Sequence, residues 1–163
     1  MSKPLMMSTS QNESIDSSSQ PIVRRATAEE VWPLRHAVLR SGLSFDTAKF
    51  DGDLDDTTRH FGTFANRNVL CCLSLFHSTW NDSDAWQLRG MATAATHQRQ
   101  GIGQLLLMFA IDEASQEKPS WPFWCNARTT AIGFYEQAGW STATDVFDIP
   151  TAGPHVKMHF VAP

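Results

Sequence analysis

The run Gln98-Arg99-Gln100-Gly101-Ile102-Gly103 leads directly into Gln104-Leu105-Leu106-Leu107-Met108-Phe109-Ala110-Ile111. Ile102, Leu105, Leu106 and Phe109 share one helical face, and Leu107, Met108 and Ile111 widen it, so the pattern predicts a helix through about Ser115 that is covered on most sides. Gln104, Asp112, Glu113 and Gln116 point the other way. Glycine in a helix costs about 1 kcal/mol against alanine. Two of them in the first turn must therefore return something, either close packing or close approach of a ligand. A helix start also leaves its first N–H groups without intrahelical partners and carries the positive end of the dipole. An anion can sit there with few charged side chains. Arg99, His97 and Gln98 add positive charge or donors.

Two familiar phosphate motifs are excluded. No G-x-x-x-x-G-K-S/T run exists. Gly101-Ile102-Gly103 lacks the third glycine of a dinucleotide fingerprint, and Trp121-Pro122-Phe123 stands where its acidic residue would be. What fits is R/Q-x-x-G-x-G/A over Gln98–Gly103. Taken alone, that hexapeptide fits ordinary helix–strand packing as well as it fits an anion site.

The surrounding chain alternates strand and helix signals. IVRRA from Ile22 reads as a strand, and Thr27 with Glu30 forms a capping box for a helix carrying Val31, Leu34 and Val38. Pro33 predicts a kink there or a later start, and Gly42 a stop. Residues 44–56 read as an acidic surface loop. Asp51, Asp53 and Asp55 do not make a calcium loop, because Asp56 and Gly62 stand where Gly and Glu are needed. RHFGTFA and VLCCLSLFHS, either side of Asn66-Arg67-Asn68, predict a hairpin. After a turn at Asn81–Asp84, AWQLRGMATAA predicts a third strand, with a bulge or a close approach at Gly90. WPFWCNA is strand-like, RTTAIGFYEQA is helical up to Gly139, and WSTATDVFDIP and HVKMHFVA predict two strands joined at Thr151–Pro154. The fold class is α+β, an α/β sandwich: a mixed, mostly antiparallel twisted sheet of six to seven strands flanked by helices. The first segment, 1–20, is polar and reads as a flexible tail without a signal-peptide core. Residues 21–163 are expected to form a single domain.

A formal net charge of -4 argues against a nucleic-acid footprint. No apolar run approaches the ~20 residues of a membrane span. The three cysteines, Cys71, Cys72 and Cys125, have no zinc spacing and point to reduced thiols in a cytoplasmic setting. No metal is expected. His155 and His159 sit four apart in a strand-like run, where four residues span about 13 Å, too far for one ion.

WQLRGMAT, QRQGIG and FYEQAGW together resemble the GNAT superfamily of N-acetyltransferases, over roughly residues 22–162. The resemblance implies acetyl-coenzyme A as co-substrate and a primary amine, on a small molecule or peptide, as acceptor. It implies that backbone amides of Gln98, Arg99, Gln100, Gly101, Ile102 and Gly103, with Gln104 close by, bind the diphosphate. It further implies that Met91, Ala92 and Thr93 pair with the pantetheine arm between two splayed central strands, with Asn126 touching that arm. Thr93 departs from the family's usual small aliphatic residue. Arg128 stands where the family often has Asn, and reaches a phosphate, the acceptor or only solvent. Tyr135, the single tyrosine, would protonate the departing thiolate; without the resemblance, core packing beside Phe134 is the simpler reading.

The implied reaction is direct attack by a neutral amine on the thioester, with the oxyanion on a backbone N–H near Met91. A lysine-type amine has a pKa of about 10.4 and must lose a proton. His60, His77, His155 or a water held by a carboxylate could take it, and no spacing singles one out. A non-catalytic acyl-coenzyme-A-binding or interaction module on the same fold is the alternative. Oligomeric state is not legible, and a homodimer stays open.

Overall fold

The computed structural model describes residues 20–163, so the tail expected over 1–20 lies outside the described residues except for Gln20. Strand β1 (Ile22–Ala26) is followed by helix α1 (Ala28–Leu39). The capping box fixes where that helix starts. Glu30 N donates to Thr27 Oγ1 at 3.2 Å and Thr27 N donates to Glu30 Oε2 at 2.9 Å. The helix therefore begins ahead of Pro33 and runs through it. It ends at Leu39 with Arg40 as cap, and Gly42 (φ +81°) serves the turn beyond.

Three antiparallel strands follow: β2 (Arg59–Ala65), β3 (Asn68–Trp80) and β4 (Ser83–Thr93). Both connections have two positive-φ residues, Asn66-Arg67 and Asn81-Asp82, the tight hairpin turn whose twist matches the strands it joins. Helix α2 (Ile102–Glu117) then crosses to β5 (Phe123–Arg128), which pairs parallel with β4. Helix α3 (Ile132–Gln137) leads to β6 (Ser141–Thr142), β7 (Phe147–Ile149) and β8 (Gly153–Phe160). The sheet order is β1-β2-β3-β4-β5-β8-β6, with β7 also on β8.

The sheet has eight strands rather than the six to seven expected. WSTATDVFDIP, read as one strand, is divided in two. Past Thr142 one backbone bond remains, Ala143 N to Lys157 O at 2.8 Å, and the Thr144 side chain then takes the place of a backbone acceptor, its Oγ1 accepting from Lys157 N at 2.9 Å.

The two sheet faces are covered differently. Leu106, Leu107, Ala110 and Ala114 of α2 pack on Phe61, Leu73, Leu75, Leu88 and Cys125. Val31 and Leu34 of α1 pack on Cys72 and Ala92, on the opposite face.

The splay of the central strands has a visible cause. β4 and β5 pair only over Trp86–Leu88 and Phe123–Cys125. Beyond Leu88 a bulge places Gly90 and Met91 opposite Leu73 alone, since Ser74 pairs with Arg89 and Cys72 with Ala92. Gly90 has φ +67°, and a Cβ there would lie 2.6 Å from Arg35 Nε and 3.2 Å from the Phe50 ring. No other residue fits, so the bend of β4 away from β5 depends on this glycine.

Candidate active site

The gap between the diverging strands opens into a cleft of about 970 Å³. Its walls include Met91, Ala92 and Thr93 of β4, the loop residues Gln98 and Arg99, and Gly101 to Gln104 at the start of α2. Asn126 and Arg128 of β5 and Tyr135 of α3 complete it. Of the residues expected from sequence to hold the cofactor, Gln100 alone does not line the cleft. Its Nε2 donates to Thr96 O at 3.3 Å, bracing the loop.

The two glycines answer to different demands. Gly101 is the N-cap of α2 with φ +81°, and a Cβ there would meet nothing within 4 Å. It supplies a left-handed conformation and leaves the space above it open. Gly103 supplies packing, because its Cβ would stand 3.1 Å from the Phe134 ring and 3.5 Å from Met91 Cε. No side chain caps this helix. The first backbone bond closing onto the turn is Leu105 N to Gly101 O at 3.2 Å, so the amides of Ile102, Gly103 and Gln104 have no partner in the helix. Arg99, with φ +61°, is held in the left-handed region two residues earlier. Gln98 Nε2 ties the loop to Thr93 O at 3.2 Å, and Gln104 Nε2 ties α2 to Phe134 O at 2.7 Å. This rigid, open cluster of donors fits a diphosphate.

On β4, Ala92 and Thr93 pair with Cys72 and Cys71 along one edge. β5 has already diverged from the other edge, which leaves its backbone groups facing the gap, as an added extended chain requires. Thr93 departs from a small aliphatic residue without occupying that edge, since its hydroxyl lies 3.2 Å from Cys71 Sγ.

Tyr135 is 5% exposed and reaches the bottom of the gap. Burial, followed by the neighbouring Cys125 sulfur, pushes its phenol well above the ordinary value, so the hydroxyl keeps its proton. The three thiols are free and buried. Burial pushes Cys71 up to about 11 and Cys72 and Cys125 up to about 12, which makes each an unreactive thiol at neutral pH.

The three histidines separate cleanly. His60 is buried in a fixed network, with Nε2–H donating to Asp53 O at 2.8 Å and Nδ1 accepting from Ser74 Oγ at 2.6 Å. Burial lowers its pKa. His77 is wedged against Trp86 and Trp121, both at 4.7 Å between ring centroids, away from the cleft. Of these three candidates His155 alone lines the cleft, where His97 also stands in the loop wall. Its Nδ1–H donates to Gly153 O at 2.7 Å, which leaves Nε2 as the acceptor of the neutral ring.

One expectation is corrected. Asp53, taken for a surface turn residue, is buried and pairs with the buried Arg35 at 2.7 Å. Its Oδ2 also accepts from Trp32 Nε1 and Phe50 N, both at 2.8 Å. Arg35 further donates to Ala48 O and Ser74 Oγ. The acidic loop is thus pinned across the α1 face of the sheet, placing Phe50 at the cleft edge. Neither Phe50 nor Arg40, also in the cleft wall, carried a signal in the linear sequence.

The comparisons agree with this geometry. The acetyltransferase (GNAT) domain family matches residues 56–161. The uncharacterized N-acetyltransferase YitI of Bacillus subtilis (strain 168) is 29% identical over 140 residues, covering 84% of this chain and 93% of the relative. Escherichia coli ElaA superposes with a TM-score of 0.72 at 17% identity, over 85% of this chain and 99% of its own. An aminoglycoside 6'-N-acetyltransferase complexed with coenzyme A superposes with a TM-score of 0.69 at 10% identity, over 87% of this chain and 98% of its own. The chain belongs to the GNAT superfamily of N-acetyltransferases, enzymes that transfer an acyl group from coenzyme A.

Proposed function

We propose that residues 21–163 act as one domain transferring the acetyl group of acetyl-coenzyme A to a primary amine, within a ternary complex. One observation carries the reading. The amides of Ile102 to Gln104 without helical partners, the β4 edge from which β5 has diverged and Tyr135 line a single cleft, which supports binding of a diphosphate, an extended arm and a sulfur together.

In this reading the amides of Ile102, Gly103 and Gln104, with Arg99 beside them, hold the diphosphate. Met91, Ala92 and Thr93 align the arm by backbone bonds. His155 Nε2 takes a proton from the incoming ammonium, directly or through one water. The amine nitrogen then bonds to the carbonyl carbon, and the oxyanion rests on a backbone N–H at the Gly90–Met91 bulge. As the carbon–sulfur bond breaks, the sulfur takes the Tyr135 proton and the nitrogen loses its second proton to solvent. The products are the acetamide and the free thiol; Tyr135 is reprotonated from solvent, and His155 releases its proton to solvent. No protein nucleophile is needed, consistent with the three raised thiols. Those buried reduced thiols also support a cytoplasmic setting.

Tyr135→Phe keeps the ring and removes the proton. The expected result is a fall in kcat of about 10²–10⁴-fold in a thiol-release assay, with unchanged calorimetric affinity for acetyl-coenzyme A. An unchanged kcat removes Tyr135 from the chemistry. No detectable binding of acetyl-coenzyme A by the unmodified protein overturns the whole reading.

A further inference from the structure

The wall of the cleft facing α1 differs from the wall that would hold the diphosphate. Side chains alternate along the strands, so Trp86, Leu88, Cys125 and Ala127 turn toward α2, while Arg89 and Arg128 turn to the α1 face. There the Phe50 ring is surrounded by cations. The guanidinium carbon of Arg35 lies 4.0 Å from its centroid, that of Arg89 4.6 Å and that of Arg40 5.6 Å. Arg128 lines the same cleft as Arg40, Arg89 and Phe50, and its charge acts repulsively on Arg40.

Carboxylates do not balance these charges. Asp53 is engaged by Arg35. Among the described residues, ion pairs involve Arg24, Arg25, Arg35, Lys49 and Arg59, and none involves Arg40, Arg89 or Arg128. Asp51 and Asp53 favour the charge on Arg89 only from beyond ion-pair distance. Burial and mutual repulsion weigh against the protonated forms of both Arg40 and Arg89. Half-buried guanidiniums facing one another without a counter-charge are unfavourable unless an anion arrives between them. Their planar forks suit a carboxylate or a phosphate.

The acceptor amine has to enter from this wall, because the other end of the gap leads to the Gly101 amides. His155 lines the cleft on this side, while His97, the other histidine in the wall, lies on the loop that leads to Gly101; His155 pairs directly with Arg128 across β8 and β5, on the same face. A base and a set of unpaired arginines therefore share one chamber. Resting on the acetyltransferase reading, we propose that the acceptor is a small amine bearing an oxyanion group, a carboxylate or a phosphate, held by Arg40, Arg89 and Arg128 with its nitrogen toward His155.

The test compares matched acceptors in the thiol-release assay: α-amino acids against their carboxamides, and phosphoethanolamine against ethanolamine. The expected result is a kcat/KM at least about tenfold higher for the anionic member of a pair, the first pair reporting a carboxylate and the second a phosphate. Arg40→Gln and Arg89→Gln are each expected to raise the KM for that anionic acceptor by about tenfold or more and to narrow its advantage. Lysine at either position restores part of it, because the charge returns without the fork. The calorimetric Kd for acetyl-coenzyme A stays within about twofold in these variants. Equal or better use of the neutral partners or of peptide N-termini overturns the proposal. So does an Arg40→Gln effect confined to the affinity for acetyl-coenzyme A. If no anionic amine in the panel is turned over, and none binds the coenzyme A complex by calorimetry, the proposal also falls. The acetyltransferase reading survives each of these outcomes as long as acetyl-coenzyme A itself binds.

Discussion

Gly101→Ala separates the conformational from the ligand-binding role of the α2 N-cap. Gly101 has φ +81°, where an L-residue is strained by about 1–2 kcal/mol. The unfolded chain is also stiffer with alanine, which offsets about 0.4–1 kcal/mol. The net loss is about 1 kcal/mol, a fall in Tm of about 2–4 °C for a chain of this size. No steric clash adds to it, since the new Cβ meets nothing within 4 Å. That open space is where a diphosphate would sit against the amides of Ile102 to Gln104. Losing one hydrogen bond to a charged group is worth about 1.5–3 kcal/mol, or about 10- to 150-fold in Kd. Calorimetry with acetyl-coenzyme A should show this loss. Acetyl-pantetheine, which lacks the diphosphate, should bind the variant and the unmodified protein alike. An unchanged Kd for acetyl-coenzyme A alongside the expected fall in Tm would refute the diphosphate assignment. An equal loss for both ligands would place the effect on the arm instead.

Further predictions concern the rest of the molecule. Asp53→Asn leaves the fully buried Arg35 without its carboxylate and should cost about 3–5 kcal/mol in urea unfolding; a loss under about 1 kcal/mol would mean that the network tolerates a lone cation. The folded-state pKa of His60 lies below the ordinary 6.5, chiefly through burial. The unfolded chain therefore binds more protons just under pH 6.5, and stability should be full above that value and decline as pH falls below it. His60→Asn should flatten the decline, leaving the share of His77, whose pKa is also lowered chiefly by burial; an unaltered slope would exclude His60 as its source. Raising salt from about 0.1 M to about 1 M shortens the screening length from about 10 Å to about 3 Å. Affinity for acetyl-coenzyme A should fall accordingly, because a chain of net charge -4 depends on local positive potential to hold an anionic ligand. A salt-independent Kd would point to apolar contacts as the source of affinity.

Local chemistry was legible in the sequence. Thr27 with Glu30 marked the start of α1, because a capping box lies within one turn. Asn66-Arg67-Asn68 marked a hairpin and Asn81–Asp84 a turn, because polar residues rich in Asn and Asp punctuate apolar strand runs; the structure narrows each to a positive-φ pair, Asn66-Arg67 and Asn81-Asp82. Gly90 marked the bulge, although nothing local indicated that Arg35 and Phe50 are the neighbours excluding a side chain there. The reading of Asp53 failed because its partner lies eighteen residues away and a carboxylate in an acidic loop carries no sign of burial. The division of the segment after Trp140 into β6 and β7 likewise depended on Thr144 bonding across to Lys157.

By itself, the sequence determined most of the elements, the hexapeptide at Gln98–Gly103 and the position of the single tyrosine. Each depends on neighbours a few residues apart. Only the tertiary structure decided which of the three candidate histidines faces the cleft, that Arg40, Arg89 and Arg128 share its wall, and that no ion pair engages them among the described residues. Face, burial and counter-charge come from strand register and from packing between distant segments, and neither is encoded in the order of residues along any one stretch.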